Sequence, residues 1–106
     1  MMTTLEKVKC LEQYLIIDTS TVDPVLDMSI NKLLAREHAR MQELNTRLLD
    51  QLIAFEETYS LSSSDFYRAY EKGDMGDEMD FVEWAATVEM FTNVEKRLTL
   101  LQRGVN

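Results

Sequence analysis

Apolar residues recur along most of this chain at helical spacing. The clearest run is Ile30, Leu34, Met41, Leu44, Leu48, Leu52, Phe55 and Tyr59, in steps of 4, 7, 3, 4, 4, 3 and 4. That spacing lays one stripe along an α-helix, and Leu33, Leu49 and Ile53 are expected to widen it. Asp23 followed by Pro24 marks its start. The carboxylate accepts from free N–H groups of the first turn, and Pro sits where its missing N–H costs nothing. No Gly or Pro follows until Gly73, so the pattern predicts one long helix over about residues 24–58. At 1.5 Å per residue, about 35 residues span about 52 Å. A compact domain of this size has a radius of gyration of only about 13 Å. The expected architecture is therefore all-α and elongated, a helical hairpin or coiled-coil-like bundle in a single domain over residues 1–106.

Three shorter helices complete the pattern. Thr3 and Glu6 form a capping box, and Leu5, Val8, Leu11 and Leu15 follow at helical spacing, predicting a first helix over about residues 4–16. Residues 14–17 also suit a strand. Asp18, Thr19, Ser20 and Thr21 read as a loop, because short polar side chains compete for backbone hydrogen bonds. Ser62 and Asp65 repeat the capping pattern, with Leu61 and Phe66 at the staple positions. They predict a short helix over about residues 63–72, stopped by a left-handed Gly73. Asp80 and Glu83 repeat it once more. With Asp80 as N-cap, they predict a last helix over about residues 81–103. Its stripe is Phe81, Trp84, Val88, Phe91, Val94 or Glu95, Leu98 and Leu101. Lys96, Arg97 and Arg103 suit the negative end of its dipole. Glu43 and Arg47 form a favourable i,i+4 pair on the long helix.

Charge sharpens this picture. The net charge is −8, and it is local: residues 54–95 hold 11 acids and 2 bases, the rest 8 acids and 9 bases. Such a surface disfavours nucleic acid and anionic membrane and suits a cationic protein. Lys32, Arg36, Arg40 and Arg47 put some positive charge on the long helix, but Glu37 and Glu43 dilute it. No apolar run approaches the roughly 20 residues of a membrane span, and no signal peptide is evident. A cytoplasmic location is expected. Cys10 is the only cysteine, so no internal disulfide forms; it reads as a small apolar residue of the first helix.

The densest chemistry lies in residues 73–84, Gly-Asp-Met-Gly-Asp-Glu-Met-Asp-Phe-Val-Glu-Trp, with five carboxylates and the only tryptophan. An EF-hand loop needs oxygen ligands at positions 1, 3 and 5, Gly at 6 and Glu at 12. Starting at Asp74 puts Gly76 at position 3 and Met79 at position 6, so the template fails. Starting at Asp77 puts Met79 at position 3 and fails too. A di-iron bundle needs Glu-x-x-His pairs, but the only histidine is His38 and residue 35 is Ala. His38 fills the gap in the long stripe between Leu34 and Met41, as a half-buried packing residue. The Ser62 to Ser64 run is explained by capping, and no glycine loop cradles a phosphate. No catalytic, cofactor or metal-binding residue is assigned, and no enzymatic activity is expected. Trp84 with Phe66, Tyr67, Tyr70, Phe81 and Phe91 forms an aromatic zone beside the acidic turn. It is either a core junction or an anchor for a partner. The candidate partner-binding residues are Asp74, Asp77, Glu78, Tyr67, Tyr70 and Trp84.

Four stretches carry a resemblance: residues 21–26 (Thr-Val-Asp-Pro-Val-Leu), residues 62–67 (Ser-Ser-Ser-Asp-Phe-Tyr), residues 73–81, and residues 82–84 (Val-Glu-Trp). Together they resemble a prokaryotic family of small acidic helical proteins with a Gly-x-x-Gly-Asp-x-x-Asp-Phe-x-Glu-Trp pattern. The resemblance spans about residues 20–101. Some members are antitoxin-like, the partners of toxins in paired genes. It implies a non-enzymatic module that masks a small basic partner with its acidic helix-turn-helix face. The alternative is a structural oligomerisation module. A dimer is expected in either case, because the stripe of the long helix exceeds what a last helix of about 24 residues covers.

Overall fold

The computed structural model describes residues 1–17 and 23–105. Those residues form four α-helices and no strand: α1 (Thr4–Ile17), α2 (Pro24–Tyr59), α3 (Ser63–Glu71) and α4 (Met79–Gln102). The expected all-α architecture is present, with a short N-terminal helix, one long helix, a short third and a C-terminal fourth. The 36 residues of α2 correspond to about 54 Å. The loop expected at Asp18 to Thr21 lies outside the described residues. No described helix is long and apolar enough to cross a membrane.

The chain divides into two compact units, Met1–Lys32 and Leu33–Asn106. In the first unit, the Thr3 capping box forms in both directions. Glu6 N–H donates to Thr3 Oγ1 (3.1 Å) and Thr3 N–H donates to Glu6 Oε1 (3.3 Å). Residues 14–17 are helical rather than extended. Val25 N–H donates to Asp23 Oδ1 (2.9 Å), which caps α2 with Pro24 in its first turn. No described residue of this unit is buried. Cys10 is exposed on α1 and does not serve as an apolar core residue.

The second unit holds the core. Met41, Leu48 and Val94 form one buried cluster, joined by Leu44, Phe91, Leu98 and Leu101. Leu52, Phe66, Trp84 and Ala85 form the other. The alternative of Val94 or Glu95 in the α4 stripe is thus decided for Val94. Leu33, Leu49 and Ile53 do not widen the buried stripe of α2. They are exposed, because α2 is covered along one face only. His38 is half-buried as expected, and its Nε2 lies 2.8 Å from Gln102 Oε1. A Cβ added to Gly104 would meet Leu34 Cδ1 at 2.8 Å, so the chain after α4 passes tightly against α2. Among the described residues the ion pairs are Arg40–Glu37 (2.8 Å) and Arg68–Asp65 (3.6 Å). The expected Glu43–Arg47 pair is not formed.

Candidate functional site

The acidic segment joins α3 to α4 over the aromatic end of the second unit. Each border of this region has a local cause. Tyr59 ends α2, Ser60 takes a left-handed φ of 51°, and Leu61 N–H reaches back to the Glu56 carbonyl (3.3 Å). Ser62 then caps α3, its Oγ accepting from Asp65 N–H (3.1 Å). The Asp65 carboxylate does not complete the box; it faces Arg68. Gly73, with φ 81°, stops α3 as its position predicts. Gly73 N–H donates to the Tyr70 carbonyl and Asp74 N–H to the Ala69 carbonyl, each at 3.0 Å. Those two bonds and the left-handed glycine make a Schellman motif.

The start of α4 differs from the expectation. Its N-cap is Glu78, not Asp80, and the helix begins at Met79. Glu78 has an extended backbone and makes no side-chain cap bond. Its carbonyl accepts from both Phe81 and Val82 N–H (3.0 Å each). Asp80 lies inside the first turn, where its charge suits the helix dipole. Its Oδ2 accepts from the Tyr59 hydroxyl at 2.5 Å. A side chain engaged across to α2 is not available to cap its own helix.

Beneath the turn the aromatic rings interlock. Trp84 is fully buried and lies flat on Phe66, with centroids 3.9 Å apart and 4° between planes. Phe55 stacks on Trp84 at 5.5 Å, and Tyr59 at 5.8 Å. The indole N–H donates to Ser63 Oγ (3.0 Å), which resolves the one polar atom a buried tryptophan brings with it. Glu56 Oε2 accepts from Ser63 N–H (2.8 Å). Of the two roles open to Trp84 in the sequence, the structure places it in the core, where no partner reaches it directly. Tyr70 packs tilted on Phe66 and is half-buried, as is Tyr67.

Two phenols here are perturbed. The hydrogen bond to Asp80 pushes the Tyr59 hydroxyl above its ordinary pKa of 10.0, and burial and the charges of Asp80 and Glu78 act the same way. The Tyr67 hydroxyl donates to Glu89 Oε1 (3.0 Å). That bond, then burial and nearby charge, raises its pKa too. In both cases the phenolate would face a carboxylate.

The candidate carboxylates sit on the outside. Asp74, Asp77 and Glu78 are exposed, and among the described residues none of them lies in an ion pair. The turn that carries them is fixed from below, since Met75 packs against the aromatic cluster. Gly76 has φ 79°. Sequence reasoning found Gly73 but missed the structural parts played by Gly76 and Met75. A single methionine in a polar loop carries no periodic signal. An open groove of about 570 Å³ runs between α2 and α4, lined among others by Gln51, Ala54 and Thr58 on one side and Asp80, Glu83 and Ala86 on the other. It holds two carboxylates and no base. Among the described residues no group of three or more His, Cys, Asp or Glu side chains is placed to hold a metal ion. The structure thus gathers Asp74, Asp77 and Glu78 with Tyr67 and Tyr70 around one helical junction, and puts Trp84 under it. Comparison with family models, curated proteins and solved structures gave no match.

Proposed function

We propose that the protein is a non-enzymatic, antitoxin-like binding module that meets a small cationic protein with the acidic turn between α3 and α4, and masks it. One observation carries this reading: Asp74, Asp77 and Glu78 stand exposed and, among the described residues, outside any ion pair, on a turn fixed by a Schellman motif and an anchored methionine. Charges held ready in one geometry cost less ordering on association than charges on a loose loop. Opposite charge also steers encounter. Tyr67 and Tyr70 supply amphipathic contact area beside the turn, and Trp84 supports it from within.

The test is capture of the partner from native lysate at low salt, with parallel co-expression of the neighbouring gene. The screening length falls from about 10 Å at 0.1 M to about 3 Å at 1 M salt, so a basic protein should be retained at the first and released at the second. The variant Asp74→Asn, Asp77→Asn, Glu78→Gln should keep its helicity and lose the partner. If the neighbouring gene arrests growth, the intact protein should relieve the arrest and the variant should not. Capture indifferent both to salt and to the triple change would remove the charge-based mechanism. A second reading, a structural oligomerisation module, is favoured by a different observation, the exposed apolar residues on the outer face of α4.

A further inference from the structure

One flank of the α2–α4 pair carries α3. Phe66 lies flat on Trp84 in a buried cluster with Ala85, and the Tyr67 hydroxyl donates to Glu89. The other flank is the open groove, lined by residues of α2 and α4 alone. Glu83 in its wall lies about 160° around α4 from Ala85, at about 100° per residue. The groove is flanked by two small side chains, Ala54 on α2 and Ala86 on α4, both exposed. How closely a further helix can approach depends on the side chains at the contact, and a single methyl on each side admits one closely.

The polar groups of the groove select its occupant. Thr58 and Thr87 spend their hydroxyls on their own helices, donating to the Ala54 carbonyl (2.9 Å) and the Glu83 carbonyl (2.8 Å). The charges that remain are both negative. Asp80 and Glu83 are exposed, and among the described residues neither lies in an ion pair. Ionised carboxylates only accept hydrogen bonds, so the occupant has to donate. A cationic donor bonds them about twice as strongly as a neutral one. Beside them Phe55, stacked on Trp84, gives the groove an aromatic wall. An apolar wall next to carboxylates fits the alkyl stem and charged head of lysine or arginine, and the guanidinium also stacks on rings. A free small cation is a poor fit, because small-ligand sites bury roughly 70–90% of the ligand surface and this groove is open.

We infer that the α2–α4 groove seats a cationic amphipathic helix of another protein. That helix lays apolar side chains between Ala54 and Ala86 and directs arginine or lysine to Asp80 and Glu83. Helices bound in grooves are read through anchors one turn apart. Asp80 and Glu83 are themselves one turn apart on α4, so they match two cationic side chains at that spacing. The inference does not rest on the acidic-turn reading, since Asp74, Asp77 and Glu78 do not line the groove.

Titration of the full chain with a designed peptide, followed by amide chemical shifts, tests this. The probe is a helical peptide of about 15 residues with two arginines one turn apart beside a leucine stripe. Salt of about 0.15 M suppresses attraction beyond about 8 Å. The shifts should concentrate in residues 51–58 and 80–87. The same peptide with glutamate at the arginine positions should move none of them. Glu83→Gln should weaken binding about threefold, the size of an exposed ion pair. Ala86→Leu, which fills the space facing Ala54, should weaken it about tenfold by steric exclusion. Both positions are exposed, so circular dichroism should be unchanged in either variant. The turn variant Asp74→Asn, Asp77→Asn, Glu78→Gln should bind the probe like the native chain. The inference is overturned by an absence of shifts at about 1 mM probe, by equal shifts with the glutamate peptide, or by native affinity in Ala86→Leu. Shifts centred on residues 74–78 and lost in the turn variant would overturn it too, and would leave the acidic-turn reading standing.

Discussion

Trp84 is the residue on which the second unit depends most. It is fully buried, flat on Phe66, stacked by Phe55 and Tyr59, and bonded to Ser63. Trp84→Ala is expected to destabilise the protein by about 3–5 kcal/mol, the usual range for emptying a large aromatic site. Emission of the native indole should be blue-shifted and resistant to aqueous quenchers; red-shifted emission would put the ring outside the core. Tyr59 sets the alkaline limit. Its folded pKa lies above the unfolded value of 10.0, so the folded state holds the proton longer. The associated stability is present in full below pH 10 and falls as pH rises through the higher folded pKa. Tyr59→Phe should flatten the alkaline arm of a stability–pH curve. The same decline in Tyr59→Phe as in the native chain would mean that another group, with Tyr67 the first candidate, governs it.

At the scale of elements, the sequence was most legible where a side chain does the capping. Thr3, Asp23 and Ser62 each sit where the pattern puts them, and each makes the expected bond. The start of α4 was misread because Glu78 caps through its backbone alone. Asp80, the better cap by residue type, is engaged with Tyr59. Tertiary pairing overrode a local signal, and nothing within a few residues of Asp80 announces Tyr59. The candidate acidic turn was legible from composition; the burial of Trp84 beneath it was one of two readings that composition left open. The two left-handed stops invite a paired test. Ser60 adopts φ 51° with a side chain present, a conformation costing roughly 1–2 kcal/mol, while glycine loses about 0.5–1 kcal/mol in chain entropy. Ser60→Gly is therefore expected to raise stability by about 0.5–1 kcal/mol. Gly73→Ala should lower it by about 1–2 kcal/mol, although open space surrounds its missing Cβ. Thermal melts of the two variants check both signs. Equal melting temperatures would mean the backbone at these stops relaxes at no cost.

Across the whole molecule, charge is segregated rather than mixed. Residues 54–95 hold 11 acids against 2 bases, while the rest of the chain is nearly balanced with 8 acids and 9 bases, and the ion pairs of the described residues do not include Asp74, Asp77 or Glu78. Repulsion among such carboxylates opposes the compact state, and salt screens it. At dilute protein, raising salt from about 0.02 to about 0.5 M should increase the melting temperature. A chain held together by surface ion pairs would respond with a decrease. The result separates two views of this surface, one in which the charges serve the fold and one in which the fold tolerates them for another purpose.

The aromatic junction also has a kinetic consequence. Phe55, Phe66 and Trp84 are near one another in sequence, whereas the hydrogen bond from His38 to Gln102 joins residues 64 apart. Each doubling of a closed loop costs about 0.6 kcal/mol of chain entropy. Closing the short loops first shortens the loop that remains to be closed at the far end. The second unit should then fold as a zipper, nucleated at Trp84 and completed at Leu34 and Gly104. Opening runs in reverse, so amide exchange is expected to be slowest around Phe66 and Trp84 and to quicken steadily along α4 toward Gln102.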